Sequence, residues 1–151
     1  MNAVTDGYRT EWTPQELAAE IAAVIRDHEA LWYQGSWFGL GGGRPIESLR
    51  AALLEESPVC GTTACVAGWA AAFASPKGTK VWAGGSLEFP DGGGVDVMDV
   101  ARCALGLSQA DAGWLFDGIR TKDEVLEALD GIASGGGWTH YKKCDSCGHD
   151  L

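Results

Sequence analysis

The chain has 151 residues, 46% of them hydrophobic and 21% charged, with 22 glycines and a formal net charge of -10. A chain of this length buries roughly 70% of the surface its unfolded form exposes, enough for one core, and the composition is that of a globular protein with about twice the usual glycine. The negative charge argues against a nucleic-acid backbone or an anionic membrane as partner, because either would be repelled at long range, and fits a basic partner or a small ligand better.

The first residues, Met1 to Gly7, carry neither a basic leader nor an apolar stretch, and no run elsewhere is long enough to cross a bilayer. A cytoplasmic protein without a membrane partner is expected. Cysteines at 60, 65, 103, 144 and 147 are odd in number in a chain with no export signal, which favours free thiols or metal ligands over a disulfide framework.

After an N-terminal arm (1–12), Thr13-Pro14-Gln15-Glu16 combines an N-cap, a proline at the first helical position and a capping-box glutamate. Leu17, Ile21, Val24, Ile25, Leu31 and Trp32 then recur at helical spacing, which predicts a first helix over residues 14–33. Gln34 to Pro45 mixes aromatics with glycines and reads as a loop. Residues 46–56 read as a short helix stopped by Ser57-Pro58. A further helix is expected from Thr62 or Thr63 to just before Pro76.

Lys80 to Ala83 and Ser86 to Phe89 alternate around Gly84-Gly85, the pattern of a two-residue hairpin and the one convincing strand signal. Asp91 to Gly94 reads as a loop. Asp96 caps a helix that ends at Gly106, Ser108 starts a short helix with Leu115 and Phe116 inward, and Thr121 starts a last one carrying Val125, Leu129 and Ile132. The fold class expected is therefore all-α: a compact bundle of about six helices with one small hairpin, spanning residues 13–133. Beyond Ser134-Gly-Gly-Gly137 a glycine-rich hinge and a Cys/His tail complete the chain (134–151).

Three stretches in this order, Glu29-Ala-Leu-Trp-Tyr-Gln34-Gly-Ser-Trp37, then Cys60-Gly-Thr-Thr-Ala-Cys65-Val-Ala-Gly-Trp-Ala, then Ala104-Leu-Gly-Leu-Ser108 through Leu115-Phe116, carry a resemblance. Over residues 13–133 the chain resembles a group of small proteins from actinobacteria and their phages that share a C-G-T-x-x-C-x-A-G-W helix motif. The resemblance implies a fold unit and a phage or actinobacterial setting, and it brings no catalytic residue with it.

The tail offers four metal ligands in ten residues, His140, Cys144, Cys147 and His149, with a Cys-x-x-Cys-Gly turn of the kind found in zinc knuckles. A closed structural zinc site is the expectation. Because Cys147 and His149 are separated by one residue, a fourth ligand from Cys60, Cys65 or a second copy of the chain stays open. Cys60 and Cys65 beside a helix start also suggest a nucleophile for a hydrolase or transferase, with His28 as base. Against this, histidines are scarce, and Cys65, Gly68 and Ala72 share one helix face, where small residues serve close packing.

Val100 to Ser108 followed by a short helix imitates a helix-turn-helix, but its second helix would present Gln109, Asp111 and Gly113 with no basic side chain, so nucleic acid is disfavoured. Seven tryptophans exceed the usual need of a core this size. Gln34, Trp37 and Phe38, in a glycine-rich loop, are the expected contact residues. The function expected is a non-enzymatic binding module, a phage protein that engages a host protein or a small signalling ligand.

Overall fold

The computed structural model describes residues 12–35, 37–38, 43–53, 63–82, 84–135 and 138–139. Among these, six α-helices and a four-stranded antiparallel sheet make a mixed α/β fold, which overturns the all-α expectation. The hairpin is present: β2 (Lys80–Val81) pairs with β3 (Ser86–Glu88), and Gly84 and Gly85 take φ of 84° and 88° in the turn. The sheet grows on both sides. β1 (Arg44–Pro45) pairs with β2 and β4 (Gly94–Asp96) with β3, giving the order β1-β2-β3-β4. β1 comes from the end of a stretch read as a loop, and β4 from the last residue of another such stretch, Gly94, through Asp96, read as a helix cap. They hold two and three residues and include Pro and Gly, which carry no local preference for a strand, so their extended form comes from the partner strand's hydrogen bonds.

Three of the six helices start where a side-chain cap places them, whereas the helix expected from Thr62 or Thr63 starts at Val66 with no such cap. Thr13 and Thr121 complete capping boxes for α1 (Pro14–Asp27) and α6 (Lys122–Ala133), and the Ser108 hydroxyl accepts from Asp111 N to start α5 (Gln109–Leu115). α4 (Val97–Leu105) ends on Gly106 at φ 67°, the left-handed conformation that glycine adopts without strain. α2 (Glu47–Ala52) is short. Expected to run to residue 33, α1 instead stops at His28 and is followed by a 3₁₀ turn, Glu29–Leu31. The next residues leave the helix to pair with the segment before α3: Tyr33 N donates to Ala64 O (3.1 Å), and Ala64 N donates to Leu31 O (3.1 Å).

The core is organised on α3 (Val66–Ala74), every residue of which is buried. Its alanines and Gly68 let neighbours come close. α3 packs against α4, α1 and α2, and α1 in turn lies along α6. Trp69 is wholly buried, and its indole N–H donates to Leu31 O at 3.0 Å, the partner that a buried tryptophan requires. Trp12 meets Phe73 edge-on at 5.5 Å, which ties the chain before α1 to the same helix.

Candidate functional site

The segments brought together by α3 are the loop after α1, the extended residues Thr63 to Cys65, and the turn after α5. Gln34 joins all three. Its amide N–H groups donate to Leu115 O (2.8 Å) and Asp117 O (3.3 Å), at the end of α5, and its Oε1 accepts from Val66 N (3.2 Å) and Trp32 Nε1 (3.1 Å). A glutamine amide has two donors and two acceptor lone pairs, so all four are used. One side chain thereby caps the start of α3 and the end of α5, and Gln34 is only 6% exposed.

Trp37 and Phe38 cross the other side of Ala64, with which Phe38 forms an antiparallel bridge. The Trp37 carbonyl lies so close to α3 that a Cβ on Gly68 would sit 2.1 Å from it, and its ring rests on Gly85 of the hairpin. The small-residue face of α3 thus receives a loop backbone at Gly68. Both aromatic side chains are half-buried against the core.

Between these elements lies a cavity of about 310 Å³ lined by Gln34, Gly35, Trp37, Phe116 and Gly118. Its surface is mixed, with polar backbone beside the half-buried Trp37 and the buried Phe116, and the polar head of Gln34 is occupied within the fold. The two lining segments also carry exposed apolar residues: Tyr33 is 59% exposed and Ile119 75%. Among the described residues the other exposed large hydrophobic residue is Trp82, at the start of the hairpin turn whose Gly85 supports Trp37. The turn bearing Ile119 is held from both ends. Arg120 stacks its guanidinium over Trp114 at 4.3 Å and pairs with Glu124 at 3.2 Å, while Ile119 N donates to Asp117 Oδ1.

Of the contact residues expected from the sequence, Gln34 and Trp37 line this cavity, whereas Phe38 pairs with Ala64 and packs at Gly68. Phe116, Gly118, Tyr33 and Ile119 were not singled out as contacts. Ile119 carried the readable signal, an isolated apolar residue among turn formers and off any helical period.

Cys65 is buried at the start of α3 with its Sγ 3.9 Å from Trp37 O. Burial pushes its thiol up to about 11, an effect that the backbone N–H groups of Gly68 and Ala67 oppose only in part. His28 is exposed at the end of α1. Cys60 lies outside the described residues, as do His140, Cys144, Cys147 and His149. Among the described residues no group of three or more His, Cys, Asp or Glu side chains could hold a metal, and no helix is long and apolar enough to cross a membrane.

The α4–α5 pair does form two helices around a glycine turn. Asp111, however, is buried and accepts from Thr139 Oγ1 at 2.8 Å, so it does not face a groove. Next to Thr139, Trp138 lies over Gly131 of α6 and tilts against Trp114 at 5.6 Å, which docks residues 138–139 on the body of the domain. Comparison of the chain with protein families, with curated proteins and with solved structures found no match.

Proposed function

We propose that this chain is a non-enzymatic binding module whose contact site is the cavity between the Trp37 loop and the Phe116–Gly118 turn. One observation carries the reading: the exposed large apolar residues Tyr33 and Ile119 both belong to the segments that line this one recess. Apolar area left in water around a recess is a mark of a recognition site. The occupant is a host protein or a small ligand, in the phage or actinobacterial setting that the resemblance suggests.

The competing hydrolase or transferase reading loses support at Cys65, because a buried thiol held protonated is a poor nucleophile. Nucleic acid is disfavoured by charge. A structural zinc on His140, Cys144, Cys147 and His149 is a separate proposal. Metal found by elemental analysis of the purified protein and lost in Cys144→Ser supports it, and metal-free protein removes it.

Gly118→Leu tests the binding site. A Cβ there meets Gln34 O and Gly35 Cα at 3.4 Å, the near edge of ordinary contact, and the backbone is not left-handed, so the position accepts a Cβ and a longer side chain is expected to fill the cavity. Protein isolated from host cells is expected to retain a ligand or partner in native mass spectrometry and affinity capture, and Gly118→Leu to lose it at an unchanged melting temperature. Wild-type protein that carries neither ligand nor partner overturns the reading.

A further inference from the structure

We infer that the occupant of the cavity is a basic polypeptide segment that inserts one bulky apolar side chain into the space lined by Trp37 and Phe116. This deepens, and rests on, the binding reading above. Size is the first argument. Small-molecule sites span roughly 300–1,000 Å³ and enclose most of their ligand. At about 310 Å³ this cavity is at the lower limit, which suits a single large side chain. Tyr33 and Ile119 lie on the flanking segments and present apolar area beyond what a small ligand would cover, whereas a polypeptide laid across the mouth would cover both.

Charge supplies the second argument and sets the sign of the partner. The segments 28–35 and 117–124 hold four carboxylates, Glu29, Asp117, Asp123 and Glu124, against two cations, Arg120 and Lys122. Both cations are already paired. Lys122 Nζ lies 2.7 Å from Glu29 and Arg120 lies 3.2 Å from Glu124. Asp117 and Asp123 are exposed and meet no basic side chain among the described residues. Asp117 is fixed in place by the Ile119 N–H, so a carboxylate stands on the same turn as the exposed isoleucine. The net charge of -10 adds a long-range field that would steer a basic segment inward and repel an acidic one. An apolar anchor flanked by Lys or Arg would fill the recess and meet Asp117, which adjoins the lining residue Gly118, with Asp123 adding to the same field.

The test is selection of a display library of random short peptides on the full chain, counter-selected on Gly118→Leu. Enriched peptides are expected to carry Lys or Arg around one Trp, Phe or Leu. Replacing that one residue with Ala weakens binding by about tenfold or more, as for a central anchor. Asp117→Asn combined with Asp123→Asn, which keeps an oxygen for the Ile119 N–H, weakens binding by about three- to tenfold at low salt, and the difference closes in about 1 M salt. A merely structural effect would not follow salt in this way. Enriched peptides without basic bias that still depend on Gly118 overturn this inference and leave the binding reading standing. No enrichment over Gly118→Leu also overturns it. In that case a ligand or partner found by native mass spectrometry or affinity capture and lost in Gly118→Leu preserves the underlying reading, and the absence of both removes it too.

Discussion

Tyr33 and Gln34 are neighbours in the chain with opposite fates: Tyr33 is 59% exposed, whereas Gln34 is 6% exposed with all four of its hydrogen bonds made inside the protein. The contrast extends to the regions around them. Beneath the cavity the chain is held by close approaches, the Trp37 carbonyl against Gly68, the Cys65 thiol under that carbonyl, and Gln34 between two helix ends. Next in the chain to its lining residues Gln34 and Gly118, Tyr33 and Ile119 present apolar surface to solvent. On the proposed reading the buried contacts set stability and the exposed residues set recognition, so a substitution at one should leave the other's property nearly unchanged.

The largest expected effect is at Gly68. A Cβ there would lie 2.1 Å from the Trp37 carbonyl and 2.7 Å from Ala64 Cβ, and the nearer obstacle is backbone. Gly68→Ala is expected to destabilise by about 3 kcal/mol or more in urea unfolding. Wild-type stability in that variant would break the buried half of the comparison.

Next comes Gln34→Ala, which leaves Val66 N, Leu115 O, Asp117 O and Trp32 Nε1 without this partner and is expected to cost about 2–3 kcal/mol. A smaller loss would show that water replaces the amide.

Cys65 gives a pH signature. Its folded pKa, about 11, lies above that of a free thiol, so the native state holds the proton more tightly than the unfolded chain does. The resulting stability is fully present below the free-thiol value and is lost as pH rises towards about 11, at about 1.4 kcal/mol per unit. Cys65→Ala should remove that part of the alkaline slope. Iodoacetamide mapping of native protein should label the exposed Cys103 and spare Cys65 until unfolding.

The smallest stability change belongs to the exposed residues. Ile119→Ser is expected to shift unfolding by less than about 0.5 kcal/mol, because the side chain is 75% exposed, while weakening capture of the partner. A large stability loss there would mean that Ile119 is part of the core.

Much of this architecture was legible in local signals. Thr13, Ser108 and Thr121 placed three helix starts, Gly106 one helix end, and Gly84-Gly85 the hairpin, because caps and tight turns are set by residues within a few positions of one another. Aromatics set among glycines also drew attention to Gln34 and Trp37, which line the cavity. What local signals could not supply was β1 and β4, whose two and three residues are extended only because a partner strand receives them. Nor could they foresee the early end of α1, where backbone pairing with Ala64 outweighs a helical apolar period that continues to Trp32.

The sequence by itself determined the charge, the helix starts and the aromatic loop, since each depends on composition or near neighbours. Tertiary structure alone decided that Gln34 is a brace and that Trp37, Phe116 and Gly118 share a cavity. Those roles arise from contacts between residues as far as 83 positions apart, and no local pattern encodes which distant backbone a side chain will meet.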